Sequence, residues 1–269
     1  MAKALLIMVF VVGAIFIFGY FVLMQAEKLK PVSPLPPDNT SEEVSPWNIE
    51  LQSSADWGQY LTDSKGLSLY FFSKDVDGLS HCTDTCLKNW TAFYAPQIKV
   101  SVALDSGDFG QIIRSDGQKQ TTFHGWPLYY YIGDKKPGDD KGEGLNNIWY
   151  LAKPNYSVMI GAIADKLFLT NNLGHALYIF TQDKDNVSKC DDACATKWPR
   201  FYVAEPYNLP STLQSMSLAT IDIKNKQTAF SDQPLYYFAD DQMRGQTLGD
   251  KVGNKWFLLN PFSTSSTPN

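Results

Sequence analysis

The sequence predicts an all-β protein: two tandem small β-domains, each an internal duplication of barrel- or sandwich-like form, behind one N-terminal transmembrane helix. Three observations predict it: an apolar run near the N-terminus, a long repeat filling the remainder, and a shorter period inside that repeat. The expected organisation is an anchor over 1–29 and a Pro/Ser-rich extracytoplasmic tether over 30–56. β-Domains follow over 57–156 and 157–262, with a tail over 263–269.

The anchor comes first. Ala4 to Met24 is unbroken apolar sequence, ALLIMVFVVGAIFIFGYFVLM. As a helix this run spans roughly 30 Å, the thickness of a bilayer's hydrocarbon core. A cleaved signal has a shorter apolar region and a small-residue cleavage site, and Met24-Gln25-Ala26 is a poor match to one. No Cys follows the run, so the sequence offers no acceptor for a lipid anchor. Lys3 on one side faces Lys28 and Lys30 on the other, which leaves orientation undecided by charge. The tether includes KPVSPLPPDNTSEEVSPW, residues 30–47, a stiff extended composition with no core of its own.

The long repeat fills the rest. LTDSKGLSLYFFSKDVDGLSHCTDTCLKNW, from Leu61, matches LTNNLGHALYIFTQDKDNVSKCDDACATKW, from Leu169. FHGWPLYYYIGDKKPGDDKGEGLNNIWYLAKP, from Phe123, matches FSDQPLYYFADDQMRGQTLGDKVGNKWFLLNP, from Phe230. Matching at a constant offset over such lengths is the mark of a duplication.

Inside each copy the pattern Tyr-x-aromatic-x-x-Asp occurs twice, making four modules. They are Tyr70-Phe72-Asp75, Tyr129-Tyr131-Asp134, Tyr178-Phe180-Asp183 and Tyr236-Phe238-Asp241, followed in turn by Trp90, Trp149, Trp198 and Trp256. Residues two apart leave the same face of a strand, so each Tyr and its second aromatic share a surface. The Asp ends the strand, where its carboxylate can cap a turn. The distant Trp lies in a second apolar run and can pack over the aromatic pair. Short strands punctuated by Gly, Asp and Pro at this density indicate an all-β fold.

The four copies of this signature, with the Cys-x3-Cys and Trp of CTDTCLKNW and CDDACATKW, resemble the bacterial secreted repeats of unknown function. These are also described as predicted lipoproteins with a Yx(FWY)xxD motif. The resemblance covers about residues 60–261. It implies a bacterial cell-envelope location near electron-transfer or other bioenergetic proteins, and it implies no reaction. This chain departs from the pattern in lacking a lipid-acceptor Cys.

Candidate chemistries are few. Cys82 with Cys86, and Cys190 with Cys194, read best as disulfides closing short loops, which places the domains outside the cytoplasm. Metal binding is the alternative reading. However, His81 beside Cys82 becomes Lys189 in the second copy, so the repeat keeps no third ligand. The acidic stretches at Asp75, Asp77, Asp134, Asp139, Asp140 and Glu143 could attract calcium but lack the EF-hand spacing; turn capping and solvated charge explain them better. The three histidines, His81, His124 and His175, have no counterparts in the repeat, and no nucleophile signature accompanies them. An aromatic content of 14% could line a ligand groove, although fixed spacing favours core filling. The unrepeated Trp47, Trp57 and Trp126 are the better candidates for partner contact.

A net charge of −5 without a basic stripe excludes a nucleic-acid partner. No catalytic, metal or cofactor-binding residue is expected. The expected role is a non-catalytic scaffold or accessory subunit, held by its helix in the cytoplasmic membrane and contacting an integral-membrane or periplasmic protein. The alternative is a cell-surface binding module for a small ligand or metal.

Overall fold

Each aromatic-rich stretch forms a strand, and the Gly, Asn and Asp clusters between them reverse the chain. The computed structural model describes residues 48–222 and 226–263. The expected anchor, the tether up to Trp47 and the tail beyond Ser263 lie outside the described residues. Among the described residues no helix is long and apolar enough to cross a membrane.

In the first half β1 (Ile49–Ser54) and β2 (Gly58–Asp63) form a hairpin, followed by β3 (Tyr70–Phe72) and β4 (Trp90–Ala92). Then come β5 (Phe109–Ile113), β6 (Lys119–Phe123), β7 (Trp126–Pro127), β8 (Tyr129–Tyr131) and β9 (Trp149–Leu151). The second half repeats the plan. A hairpin of β10 (Met159–Ile163) and β11 (Lys166–Thr170) leads to β12 (Tyr178–Phe180), then β13 (Leu218–Asp222), β14 (Gln227–Phe230), β15 (Gln233–Pro234) and β16 (Trp256–Leu258). Two short helices, α1 (Thr85–Asn89) and α2 (Asp192–Lys197), carry the second cysteine of each Cys-x3-Cys segment.

Residues 49–54, read as the end of the tether, are instead strand β1, paired with β2 along its whole length. The strand was hidden because Ile49 and Leu51 are its only large apolar residues among Glu, Gln and Ser.

The first half is organised by an antiparallel sheet of order β4-β8-β3-β9. Tyr70 lies opposite both Tyr129 and Leu151, Phe72 opposite Trp149, and Trp90 opposite Tyr131. The second half keeps the register with less regular structure. Tyr178 faces Leu258 and Phe180 faces Trp256, while Tyr236 is joined to Tyr178 and Arg200 by isolated bridges.

Among the described residues the sheets are small and open and none is a barrel, which corrects the barrel-like expectation. Strands of three residues are too short for the tilt and stagger that closure requires. Burial is obtained differently. Tyr70 and Phe72 face an aromatic cluster, while Phe71 and Tyr150 face a second core that continues through Tyr156, Val158 and Phe168 into the second half. The two halves therefore meet along one continuous hydrophobic core.

Candidate functional site

The signature residues come together in pairs, and each pair is exchanged between modules. Tyr70 donates its hydroxyl to Asp134 at 2.7 Å, and Tyr129 donates to Asp75 at 2.6 Å. In the second half Tyr178 donates to Asp241 and Tyr236 to Asp183, both at 2.6 Å. No Tyr reaches the Asp of its own motif. Antiparallel pairing of β3 with β8 sets the two tyrosines side by side, so each hydroxyl lies over the turn that ends the other strand.

The second oxygen of each Asp accepts a backbone N–H further along its own loop. The donors are His81 for Asp75, Lys141 for Asp134, Lys189 for Asp183 and Leu248 for Asp241. The carboxylate thus caps a loop, as expected, and also fastens that loop to the neighbouring module. Each hydroxyl has a further partner: Ser80 for Tyr129 and Ser188 for Tyr236, and the amides of Gly142 and Gly249 for Tyr70 and Tyr178.

Burial governs the titration of these groups. It pushes the Asp75 carboxyl up to about 7, against the hydrogen bonds from Tyr129 and His81 that favour its charged form. Asp134 and Asp183 are raised as well, first by burial. All four motif tyrosines are pushed far up, first by burial and then by the adjacent carboxylates, so they stay protonated donors.

The tryptophans complete an aromatic column in each half. Trp90 and Trp149 stack with centroids 3.7 Å apart, Trp198 and Trp256 at 3.8 Å. Phe72 extends the first column at 4.0 Å from Trp149 and Phe180 the second at 4.3 Å from Trp256. Tyr131 and Phe238 close the opposite ends, each 4.4 Å from Trp90 and Trp198 respectively. The tyrosines meet the column edge-on, Tyr129 against Trp149 and Tyr236 against Trp256, a favourable arrangement for ring quadrupoles. The expected packing of Trp over the aromatic pair is present, with a crossing: Trp149 covers Phe72 of the first module, and Trp90 covers Tyr131 of the second.

Gly142 and Gly249 lie flat on these rings. A Cβ on Gly142 would fall 2.7 Å from Trp90, and one on Gly249 2.9 Å from Tyr178. Both glycines match across the long repeat, which is the signal that identifies them from sequence.

Both cysteine pairs are disulfides, Cys82 with Cys86 and Cys190 with Cys194. A buried Arg114 donates to Ser80, to Gln120 and to the Cys82 carbonyl, tying the first disulfide loop to β6. Its sequence counterpart is Ile221, and Arg200 takes over the contact to the Cys190 carbonyl.

The unrepeated tryptophans part company. Trp126 is fully buried, donates its indole N–H to the Asn172 carbonyl at 2.9 Å, and carries the Arg244 guanidinium 4.8 Å above its ring. Its contact is therefore with the second half of the same chain, which corrects its assignment to an external partner. Trp126 lies within the second repeat unit, at the position that Gln233 takes in the fourth. Arg244 was not foreseen. It donates to the carbonyls of Val76 and His124, and a Cβ on Gly125 would lie 2.0 Å from its Nη1. Burial lowers its pKa to about 10, against the pull of Asp77 and Asp75. Trp57 is half-buried with the Lys153 ammonium 5.7 Å over its ring, and Trp47 lies outside the described residues.

Each of two histidines lies beside a carboxylate. His81 pairs with Asp77 at 3.0 Å and His124 with Asp108 at 3.3 Å. Asp77, His124 and His175 border one shallow groove at the junction, together with Arg244. Burial and the Arg244 charge hold His175 below its ordinary pKa. Among the described residues no group of three or more His, Cys, Asp and Glu side chains could hold a metal ion.

Residues 53–93, 110–153, 164–201 and 217–260 each match the secreted repeat of unknown function. The chain belongs to that family. The four matches centre on the four modules, so the secreted repeat is the unit whose Tyr, Asp and Trp interlock in pairs. No curated protein and no solved structure matches the chain. A secreted repeat and two disulfides agree on an extracytoplasmic location.

Proposed function

We propose that the protein is a non-catalytic scaffold or accessory subunit. An N-terminal helix would hold it in the bacterial cytoplasmic membrane, where it presents the repeats to a larger membrane assembly, electron-transfer or otherwise bioenergetic. One observation carries the reading: the residues that define the repeat are spent on one another. Each motif Asp has both oxygens engaged, and each motif Trp is stacked inside a column. A repeat whose hallmark residues all face inward supplies a rigid body, and recognition then falls to residues that differ between copies. The apolar run over Ala4–Met24 and the Pro-rich segment after it supply the anchor and the spacer.

Affinity purification of the full chain in mild detergent tests this reading. A stoichiometric integral-membrane or periplasmic partner is the expected result. A protein that runs without any such partner, and turns over a substrate, would contradict it.

A further inference from the structure

The repeat allows each surface of one half to be compared with its counterpart in the other. Thr62 and Thr170 match, and the strand residues opposite them are Glu50 and Met159. Trp47, Asn48 and Ile49 therefore correspond to Tyr156, Ser157 and Val158. Hydrogen bonds confirm the register. The Asn48 amide donates to the Lys99 carbonyl and the Lys99 amide to the Asn48 side chain, while the Ser157 amide donates to the Asn208 carbonyl and the Asn208 amide to the Ser157 hydroxyl.

Tyr156 shows what the residue at this position does. It leads into the second half but lies on the first, buried, with its hydroxyl donating to the Leu151 carbonyl and its ring beside Lys153. The counterparts of Tyr150, Leu151 and Lys153 are Phe257, Leu258 and Asn260. All three line an open groove of about 470 Å³, together with Ile179, Met216 and Phe230. The chain that follows this face carries Ser263 where the first half has Tyr156, and the neighbouring ring of Phe262 packs against the core without lining the groove.

We propose that the groove is the seat of a second copy of this chain, whose Trp47 enters it as Tyr156 enters the first half. Trp47 is the matching residue and is aromatic, and an indole leaves room to spare in a pocket of this size. Charge agrees. Glu42 and Glu43 stand just before Trp47, and Lys166 and Lys251 edge the groove, Lys166 paired with Asp250 and Lys251 exposed. The contact is heterologous, joining the leading end of one copy to the trailing end of another. It is independent of the accessory-subunit reading, and either can fail alone.

Cross-linking of the full-length protein in detergent tests it. All four native cysteines are bridged, so an introduced cysteine provides a free thiol. Differently tagged S45C and N260C chains, which keep Trp47, are mixed and mildly oxidised. The expected product is a heterodimer joined through these two positions, identified by peptide mass spectrometry, and sedimentation should show association at least tenfold weaker for Trp47→Ala. A link formed only within a single chain carrying both substitutions would assign the groove to the chain's own tether and overturn the proposal. Absence of either link, with unchanged sedimentation of Trp47→Ala, would overturn it too.

Discussion

The two halves are built on the same interior and differ at their surfaces. Tyr–Asp exchanges, stacked tryptophans and disulfide loops recur position for position, with ring separations that agree within a few tenths of an ångström. The residues that lock the halves together do not recur. Trp126 is matched by Gln233, Val76 by Lys184, and Arg244 by Pro137. The comparison teaches that the family signature specifies a building block, and that its joints are written in the residues between the signatures. In the first half the joint face is covered by the second; in the second half the equivalent face is an open groove.

The largest expected effect lies at that joint. Trp126→Ala removes a fully buried ring and should cost about 3–5 kcal/mol. Gln233→Ala at the matching position should stay within about 0.5 kcal/mol. Urea denaturation of the two variants measures the contrast, and equal losses would remove the distinction between joint and surface.

A smaller and symmetrical effect is expected inside the building blocks. Tyr129→Phe leaves the buried Asp75 without its hydroxyl donor, and Tyr236→Phe does the same to Asp183. Each should cost about 1–3 kcal/mol, and the two costs should be alike. A neutral result in one half would mean that its exchange is decorative there.

A further contrast separates the halves by pH. The folded-state pKa of Asp75 is raised, so the native protein holds a proton that the unfolded chain has released. The contribution is then fully present below the unfolded pKa of about 4 and is lost as pH rises through about 7. Stability should therefore decline across that window, and Asp75→Asn should flatten the decline. Asp183 is raised less and has the Lys189 charge beside it, which opposes the rise. NMR titration of the two carboxyls should find Asp75 titrating at the higher pH.

Much of this was legible in the sequence because repeats expose themselves by spacing. The duplication, the strand at each Tyr-x-aromatic, the disulfides and the contact of each Trp with an aromatic pair all follow from matched positions and side-chain alternation. The exchange of partners was not legible. Periodicity shows that Tyr129 and Tyr131 share a face, but only strand pairing decides which turn the Tyr129 hydroxyl overlies. Helices α1 and α2 are too short to show a helical period. Trp126 and Trp57 look alike as unrepeated aromatics, and what separates them is Arg244, more than a hundred residues downstream of both. Contacts set by tertiary packing between unmatched residues leave no spacing signal.

The exchange between modules is the centre of this account, and a double-mutant cycle tests it most directly. Tyr129→Phe combined with Asp75→Asn should show a coupling of about 1 kcal/mol or more. Tyr129→Phe combined with Asp134→Asn, the Asp of its own motif, should show additive effects. Coupling to Asp134 with none to Asp75 would contradict the exchanged arrangement and return each module to a self-contained unit.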